Sequence, residues 1–144
     1  MNGLQKASDS ILEVRRLEQA LAVLPQVDVQ PQLVVHGKLA ARTIFIPAGT
    51  ILTGVLTNCD NVCVVCGDIT VTTDEGPRRL TGYNILSAKA GSKRAGVAHS
   101  DTWWTTIHHT MLVDPVDIEN EMSDEADQLQ SRRLLTKSPE RIES

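Results

Sequence analysis

Lys89, Lys93 and Arg94 fall close together in an otherwise acidic chain, within a loop of Gly, Ala and Ser. Small residues let a ligand approach the backbone, and the guanidinium of Arg94 offers a planar fork suited to phosphate or carboxylate. His99 can add a donor, Asp101 an acceptor, and Trp103 or Trp104 a stacking face for a base or sugar. Such a set suits an anionic small molecule such as a nucleotide. Lys93 and Arg94 would neutralise charge, His99 would hydrogen bond and Trp104 would stack. The spacing is neither that of a Walker loop nor that of a Rossmann loop. The blander alternative is a solvated basic turn, with Asp101 or Asp68 as ion-pair partner.

His108 and His109 are adjacent, so in a strand they project to opposite faces and cannot chelate one metal together. One of them shares the interior face with Trp104 and Thr106, and His108 is taken as the further candidate ligand contact. Cys63-Val64-Val65-Cys66 has the spacing of a zinc knuckle or redox pair, but in a strand its sulfurs also point to opposite faces. Cys59 and Cys63 could share a face, yet no second ligand pair follows. Free thiols, buried or half-buried, are the expectation. Ser87, Ser92 and Ser100 show no nucleophile-elbow pattern, so no catalytic set and no metal ligands are assigned.

These residues must be positioned by three zones of different composition. In residues 8–24, Ser10 and Glu13 form a capping-box pattern, and Val14, Leu17, Leu21 and Leu24 recur along one helical face. Arg15, Arg16, Glu18 and Gln19 fall largely on the other face, and Pro25 stops the helix. Residues 33–112 read as short strands rich in Val, Ile and Thr, separated by turns at Gly37, Pro47–Gly49, Asn58–Asn61, Glu75–Pro77 and Gly91. The strands expected are Leu33–Val35, Arg42–Ile46, Ile51–Leu56, Val62–Val65, Asp68–Thr72, Tyr83–Leu86 and Thr102–Val113. Asp74-Glu75-Gly76 reads as a hairpin turn. Many short strands at regular spacing predict an antiparallel sandwich or barrel. Val116–Leu135 reads as a polar helix with a thin stripe of Ile118, Met122, Ala126 and Leu129, followed by a frayed tail from Thr136. A disordered acidic tail, or a helix ordered only in an oligomer, are the alternatives. The expected organisation is an N-terminal helix and connector (1–32), a β domain (33–113) and a polar helix with tail (114–144).

The chain of 144 residues fits one domain, and 41% hydrophobic residues suffice for a core. At 3% aromatic residues, that core must come from Val, Ile, Leu and Ala. A net charge of -4 argues against a protein that coats nucleic acid. No apolar run approaches the roughly 20 residues needed to cross a bilayer. Lys6, Asp9 and Glu13 interrupt any signal-peptide pattern. Three cysteines without a secretion signal suggest a reducing compartment.

The β zone resembles the cupin superfamily of small antiparallel jelly rolls over about residues 40–112. Ile46-Pro47-Ala48-Gly49-Thr50, Gly67-Asp68-Ile69-Thr70-Val71, and Gly82-Tyr83 leading to Ala90-Gly91-Ser92-Lys93-Arg94 carry that resemblance. The run from Ala90 to Trp104 is also similar to small cupin-like proteins of tailed bacteriophages, a likeness that implies a phage origin and a fold but no reaction. Metal-binding cupins use two His and a Glu from a first motif and one His from a second. Aligned on Gly49, the first-motif positions fall on Val55, Thr57 and Asn61; aligned on Gly67, the acidic position falls on Asp60. The second-motif His position is Arg94, which cannot donate a lone pair to a metal. The resemblance with these departures implies a mainly β, cupin-like barrel without the family metal and without a cofactor.

Three functions follow as expectations, in this order. The first is a phage protein that binds an anionic small molecule, for instance a nucleotide signal, without turnover. The second is a structural or assembly component of a phage virion, and the third is a cupin-type enzyme. A homo-oligomer is expected in either leading case, because exposed sheet edges are usually covered. No membrane and no dedicated nucleic-acid partner is expected, and the location would be the host cytoplasm or the virion.

Overall fold

The computed structural model describes residues 3–73 and 75–129, with side chains from residue 9 onward. The chain runs α1 (Gly3–Ala22), β1 (Gln32–His36), β2 (Leu39–Ile46), β3 (Ile51–Thr53), β4 (Asn61–Thr73), β5 (Gly76–Ala88), β6 (Ala95–Ala98), β7 (Thr102–His109) and α2 (Pro115–Met122), closed by a short 3₁₀ turn at Ala126–Gln128. All strand pairings are antiparallel. The expected mainly β, cupin-like architecture with a helix at each end is what the structure has.

The long hairpin β4–β5 organises the sheet. Its register runs from Thr73↔Gly76 to Asn61↔Ala88; Asp74 of the expected turn lies outside the described residues. The first half of β4 also pairs β7, from Cys66↔Trp103 to Val62↔Ile107, and β7 leads on to β2 and β1. Its second half pairs β6, which leads on to β3. One hairpin therefore belongs to two half-sheets that curl towards each other. The chain passes from β6 to β7 at Gly67. There His99 and Ser100 donate their N–H groups to the Asp68 carbonyl oxygen at 2.7 and 3.3 Å. Gly67 has φ +149, and a Cβ on it would collide with Thr102 Oγ1 and lie 2.7 Å from the Asp101 carbonyl oxygen.

Alternation fills the interior. Ile46, Cys63, Val65, Ile69, Val71, Leu80 and Ala98 form the buried cluster, with Ile44, Leu52, Leu86 and Trp104 against it. A smaller cluster of Met122, Ala126 and Leu129 packs on Val55.

Several expectations are corrected. The N-terminal helix begins by Gly3 rather than at residue 8, so Ser10 lies inside it and caps nothing. The helix ends at Ala22, leaving Leu24 outside and exposed. Arg15 and Glu18 turn towards the barrel and form ion pairs there, rather than lying on an outer polar face. Val62–Val65 and Asp68–Thr72 are one strand, because Gly67 lets β4 bend without breaking. Ala95–Ala98, expected as loop, is a strand. The C-terminal helix spans Pro115–Met122 only. Asp114 caps it by accepting from the Val116 and Asp117 N–H groups, and Ser123 leaves it in extended conformation. The stripe of Ile118, Met122, Ala126 and Leu129 is buried, but by two short elements instead of one helix. The rest of the expected helix and the tail from Thr136 lie outside the described residues.

Candidate functional site

A cavity of about 720 Å³ opens between the two half-sheets. Arg42, Ile44 and Ile46 on β2, Cys63 on β4, and Trp104 and Thr106 on β7 contribute to its wall. They share it because residues two apart along a strand face the same side, and the register sets Arg42 beside Thr106 and Ile44 beside Trp104. Leu21, the connector through Val29, and Leu129 close other sides.

Of the five expected site residues, Arg94 and Trp104 line this cavity. Among the described residues no hydrogen bond or ion pair engages the Arg94 guanidinium, although its backbone carbonyl accepts from Gly54 N–H at 2.8 Å. Arg42 joins them from β2, the strand paired with the one that carries Trp104. Burial lowers the pKa of its guanidinium, and the charge of Glu119 offsets part of that. An arginine remains charged even so. Arg42 was not among the expected residues. Its signal in the sequence is its position two before Ile44 and four before Ile46, which puts it on the inward face.

Lys93 is placed differently from both readings of its loop. Its side chain is 1% exposed, and Nζ donates to Glu18 Oε2 at 2.9 Å, Glu125 Oε1 at 3.0 Å and the Gly54 carbonyl oxygen at 2.9 Å. Three N–H donors meet three acceptors, so this ammonium pins α1, the end of β3 and the C-terminal turn to one another. Asp68 and Asp101 do not pair with the loop. Asp68 takes both guanidinium contacts of Arg79, at 2.7 and 2.9 Å, and Asp101 accepts from Ala48 N–H at 2.9 Å. Ser92 lines the cavity, whereas Lys89 is exposed.

His99 and His108 stand away from the cavity wall. His99 is exposed, with Nε2 2.7 Å from Thr70 Oγ1. His108 has the inward parity of Trp104 and Thr106 but lies at the end of the barrel covered by α2. Its Nε2 is 3.4 Å from Glu121 Oε1, close enough for an ion pair when the ring is protonated, yet neither atom has a hydrogen-bond partner. His109 is exposed on the outer face, as adjacency requires. Cys63 is buried and Cys66 exposed, so the two sulfurs do not converge. Cys59 is half-buried. Burial and then the charges of Glu121 and Asp60 raise its thiol pKa, which keeps it a thiol.

The positions at which metal-binding cupins would hold their ion meet at the cavity: Val55, Thr57, Asn61 and Arg94 all line it. As a donor set they do not fit a metal. One is a hydrocarbon, one a neutral hydroxyl and one a cation, and the Asn61 amide serves Cys59 and Cys63. Among the described residues no group of three or more His, Cys, Asp and Glu side chains could hold one elsewhere.

Glu125 is not among the cavity-lining residues; it gathers Arg15, Lys93 and the Leu56 N–H where α1 meets the C-terminal turn. Partial burial pushes its carboxyl up, but hydrogen bonds from Arg15, the Leu56 N–H and Lys93 overcome this and bring it down to about 2. A carboxyl lowered from 4.5 contributes stability that is complete above that value and is lost as pH falls towards 2. Urea midpoints measured at stepped pH should therefore separate wild type from Glu125→Gln most at pH 6 and least near pH 2. A gap that stays constant across this window would remove the ionised carboxylate from the account.

No family model matches the chain, and no curated protein matches it in sequence. The likenesses are structural. KdgF from a Halomonas species is 20% identical, with a TM-score of 0.51 over 65% of this chain and 87% of that one. A cupin domain from Bordetella pertussis is 15% identical, with a TM-score of 0.48 over 60% of this chain and 98% of that one. A cupin-2 domain containing protein from Shewanella frigidimarina is 10% identical, with a TM-score of 0.46 over 65% of this chain and 91% of that one. At these identities the likeness is one of fold.

Proposed function

We propose that this cupin-like protein binds an anionic small molecule in the cavity between its half-sheets and does not transform it. The observation that carries the reading is a pair of arginines, Arg94 and Arg42, on the wall of a chamber that also presents Trp104. Two guanidiniums in a partly desolvated chamber are costly unless an anion joins them: Arg94 has no side-chain partner among the described residues, and Arg42 has the charge of Glu119 to offset only part of its burial. Among the described lining residues Arg42 and Arg94 are the cations, and the carboxylate that joins them there, Glu18, is already paired with the Lys93 ammonium, which favours an anion at this place. Trp104 supplies a planar apolar surface for a base or sugar. A nucleotide satisfies both halves, and a phage protein that sequesters a host nucleotide signal in the cytoplasm is the specific form of the reading. Arg94, Arg42 and Trp104 are the contacts. Lys93 acts behind them by holding the wall, and His99 and His108 take no direct part.

The test is a thermal-shift screen of mono-, cyclic and dinucleotides and of small dicarboxylates, followed by calorimetry on whatever raises Tm. The expected result is a ligand whose affinity falls about 10- to 100-fold in Arg94→Ala, the worth of a lost charge-assisted hydrogen bond. Equal binding by wild type and Arg94→Ala, or no shift with any anion, overturns the reading. A role as a virion or assembly component is the second reading, favoured by the large apolar side chains exposed on the outer sheet face, Tyr83, Ile85 and Trp103 among them. Mass spectrometry of purified particles would find the chain at fixed stoichiometry if it holds.

A further inference from the structure

We infer that the occupant of the chamber carries two phosphate groups, and that a second recess beside the chamber receives one of them. The inference rests on the reading of the chamber as an anion site and names the class of its ligand. The recess has a volume of about 330 Å³; Arg78 and residues 85–87 of β5, Val71 and Thr73 of β4, and Arg94 line it. That volume is at the low end of the ~300–1,000 Å³ of ligand sites, room for one group of a ligand rather than the whole. Val71 and Arg94 line the chamber as well, so the two spaces share a wall. Arg42 belongs to the chamber alone, Arg78 to the recess alone, and Arg94 to both.

The register brings the two arginines to one face. Val71 pairs Arg78 of β5 on one side and Gly96 of β6 on the other. A Cβ on Gly96 would lie 3.3 Å from Ile69 Cδ1 and 3.4 Å from Val71 Cγ1, both core side chains, so this row faces inward. Arg94 stands two residues before Gly96, and both spaces that it lines lie on the inward face. β5 and β6 flank β4, so the two guanidiniums come from strands ~10 Å apart, two strand spacings. Arg79, next in sequence to Arg78, points the other way, and Asp68 takes both its contacts at 2.7 and 2.9 Å. Among the described residues no hydrogen bond or ion pair engages the guanidinium of Arg78 or of Arg94.

A guanidinium carries five N–H donors in a planar fork. Arg94 can therefore offer one edge to an anion in the chamber and another to an anion in the recess. No Asp or Glu is among the described residues that line the recess, so no carboxylate there competes for Arg78. β5 pairs β4 alone, so every second backbone N–H on its far edge lacks a ladder partner, and residues 85–87 of that edge border the recess. Phosphate is the group that uses such a set, because its several oxygens accept from a guanidinium fork and from backbone donors at once. Two phosphates, one on each side of Arg94, neutralise the cations of both spaces and leave the base to Trp104 in the chamber.

Calorimetry on the full chain with three probes tests it: AMP, ADP, and an adenosine bisphosphate whose phosphates sit at opposite ends of the ribose. Arg78→Ala and Arg94→Ala are the variants. Arg78 is exposed, so its replacement should leave circular dichroism and Tm unchanged. Wild type should bind at least one two-phosphate probe about 10- to 100-fold more tightly than AMP, the worth of one more charge-assisted contact. Arg78→Ala should erase that preference and leave AMP binding as it was, whereas Arg94→Ala should weaken all three probes. Arg78→Lys should restore part of the preference, since the charge returns without the fork. If AMP binds and Arg94→Ala weakens it, but the preference is missing or survives in Arg78→Ala, the inference falls and the chamber reading stands. A loss in Arg78→Ala that is equal for AMP and the two-phosphate probes also overturns the inference, because Arg78 would then act on the chamber as a whole. If wild type binds none of the three, the nucleotide form of the chamber reading falls and the inference falls with it.

Discussion

Lys93→Ala is expected to destabilise the fold by about 3–5 kcal/mol, the range for removing one partner of a buried ion pair. The ammonium is fully enclosed and meets Glu18, Glu125 and the Gly54 carbonyl. Its removal leaves two carboxylates around a void, with only Arg15 to neutralise them from the edge. Repulsion and a stranded carbonyl add to the lost contact. The consequence should be largest at α1, whose contacts with the barrel are few besides Val14, Glu18 and Arg15. Urea denaturation gives the magnitude, and hydrogen exchange along α1 gives the location. Adding Glu18→Gln and Glu125→Gln to a Lys93→Met variant should recover part of the loss, since no pair of carboxylates is then left facing each other; Arg15, half-exposed at the edge, keeps its charge in water. A Lys93→Ala loss below about 1 kcal/mol would mean that the ammonium behaves as a solvated surface charge.

Gly67→Ala is expected to cost about 2–5 kcal/mol, from backbone strain of ~1–3 kcal/mol and a steric clash of similar size. The φ of +149 is one that side chains rarely adopt, and a Cβ there would press on the backbone of Asp101 and Thr102. Neither neighbour can yield easily. Thr102 is fully buried and its hydroxyl bonds the Ser100 carbonyl at 2.9 Å, while Asp101 holds the Ala48 N–H. Gly37→Ala is the matched control. It also has positive φ, +58, but nothing lies within 4 Å of its Cβ position. Its cost should be near the ~1 kcal/mol of a left-handed residue alone. Equal urea midpoints for the two variants would remove the close approach at Gly67 as the cause.

What could be read in advance follows the range of the interactions. The period of two in a strand separated His108 from His109 and Cys63 from Cys66, and the structure has them on opposite faces. The pairing of β4 with β5 as a hairpin is local chemistry and equally legible. Strand β6 was not, because Ala-Gly-Val-Ala has little intrinsic preference for extended structure. It is a strand because Gly96 fits against the Thr70 carbonyl oxygen, a contact made by a distant residue. The helix boundaries failed at both ends for tertiary reasons. Ser10 has the type and spacing of a cap, yet helix precedes it, and Ser123 ends α2 with its hydroxyl bonded to the Leu56 carbonyl. Arg94 and Trp104 were identifiable by type, and both reach the cavity. The position of Lys93 was not, because its acceptors come from residues 18, 54 and 125. Without them a lysine in a Gly/Ala/Ser loop looks solvated.

The chamber borrows part of its wall from the N-terminal helix and the connector that follows, and a few charged groups moor that wall. Occupancy and mooring are then thermodynamically linked, and the linkage is reciprocal. Whatever binds more tightly to the closed wall tightens the hold on the helix by the same factor, and whatever loosens the helix weakens the occupant equally. Residues that never touch the guest can in this way set its affinity.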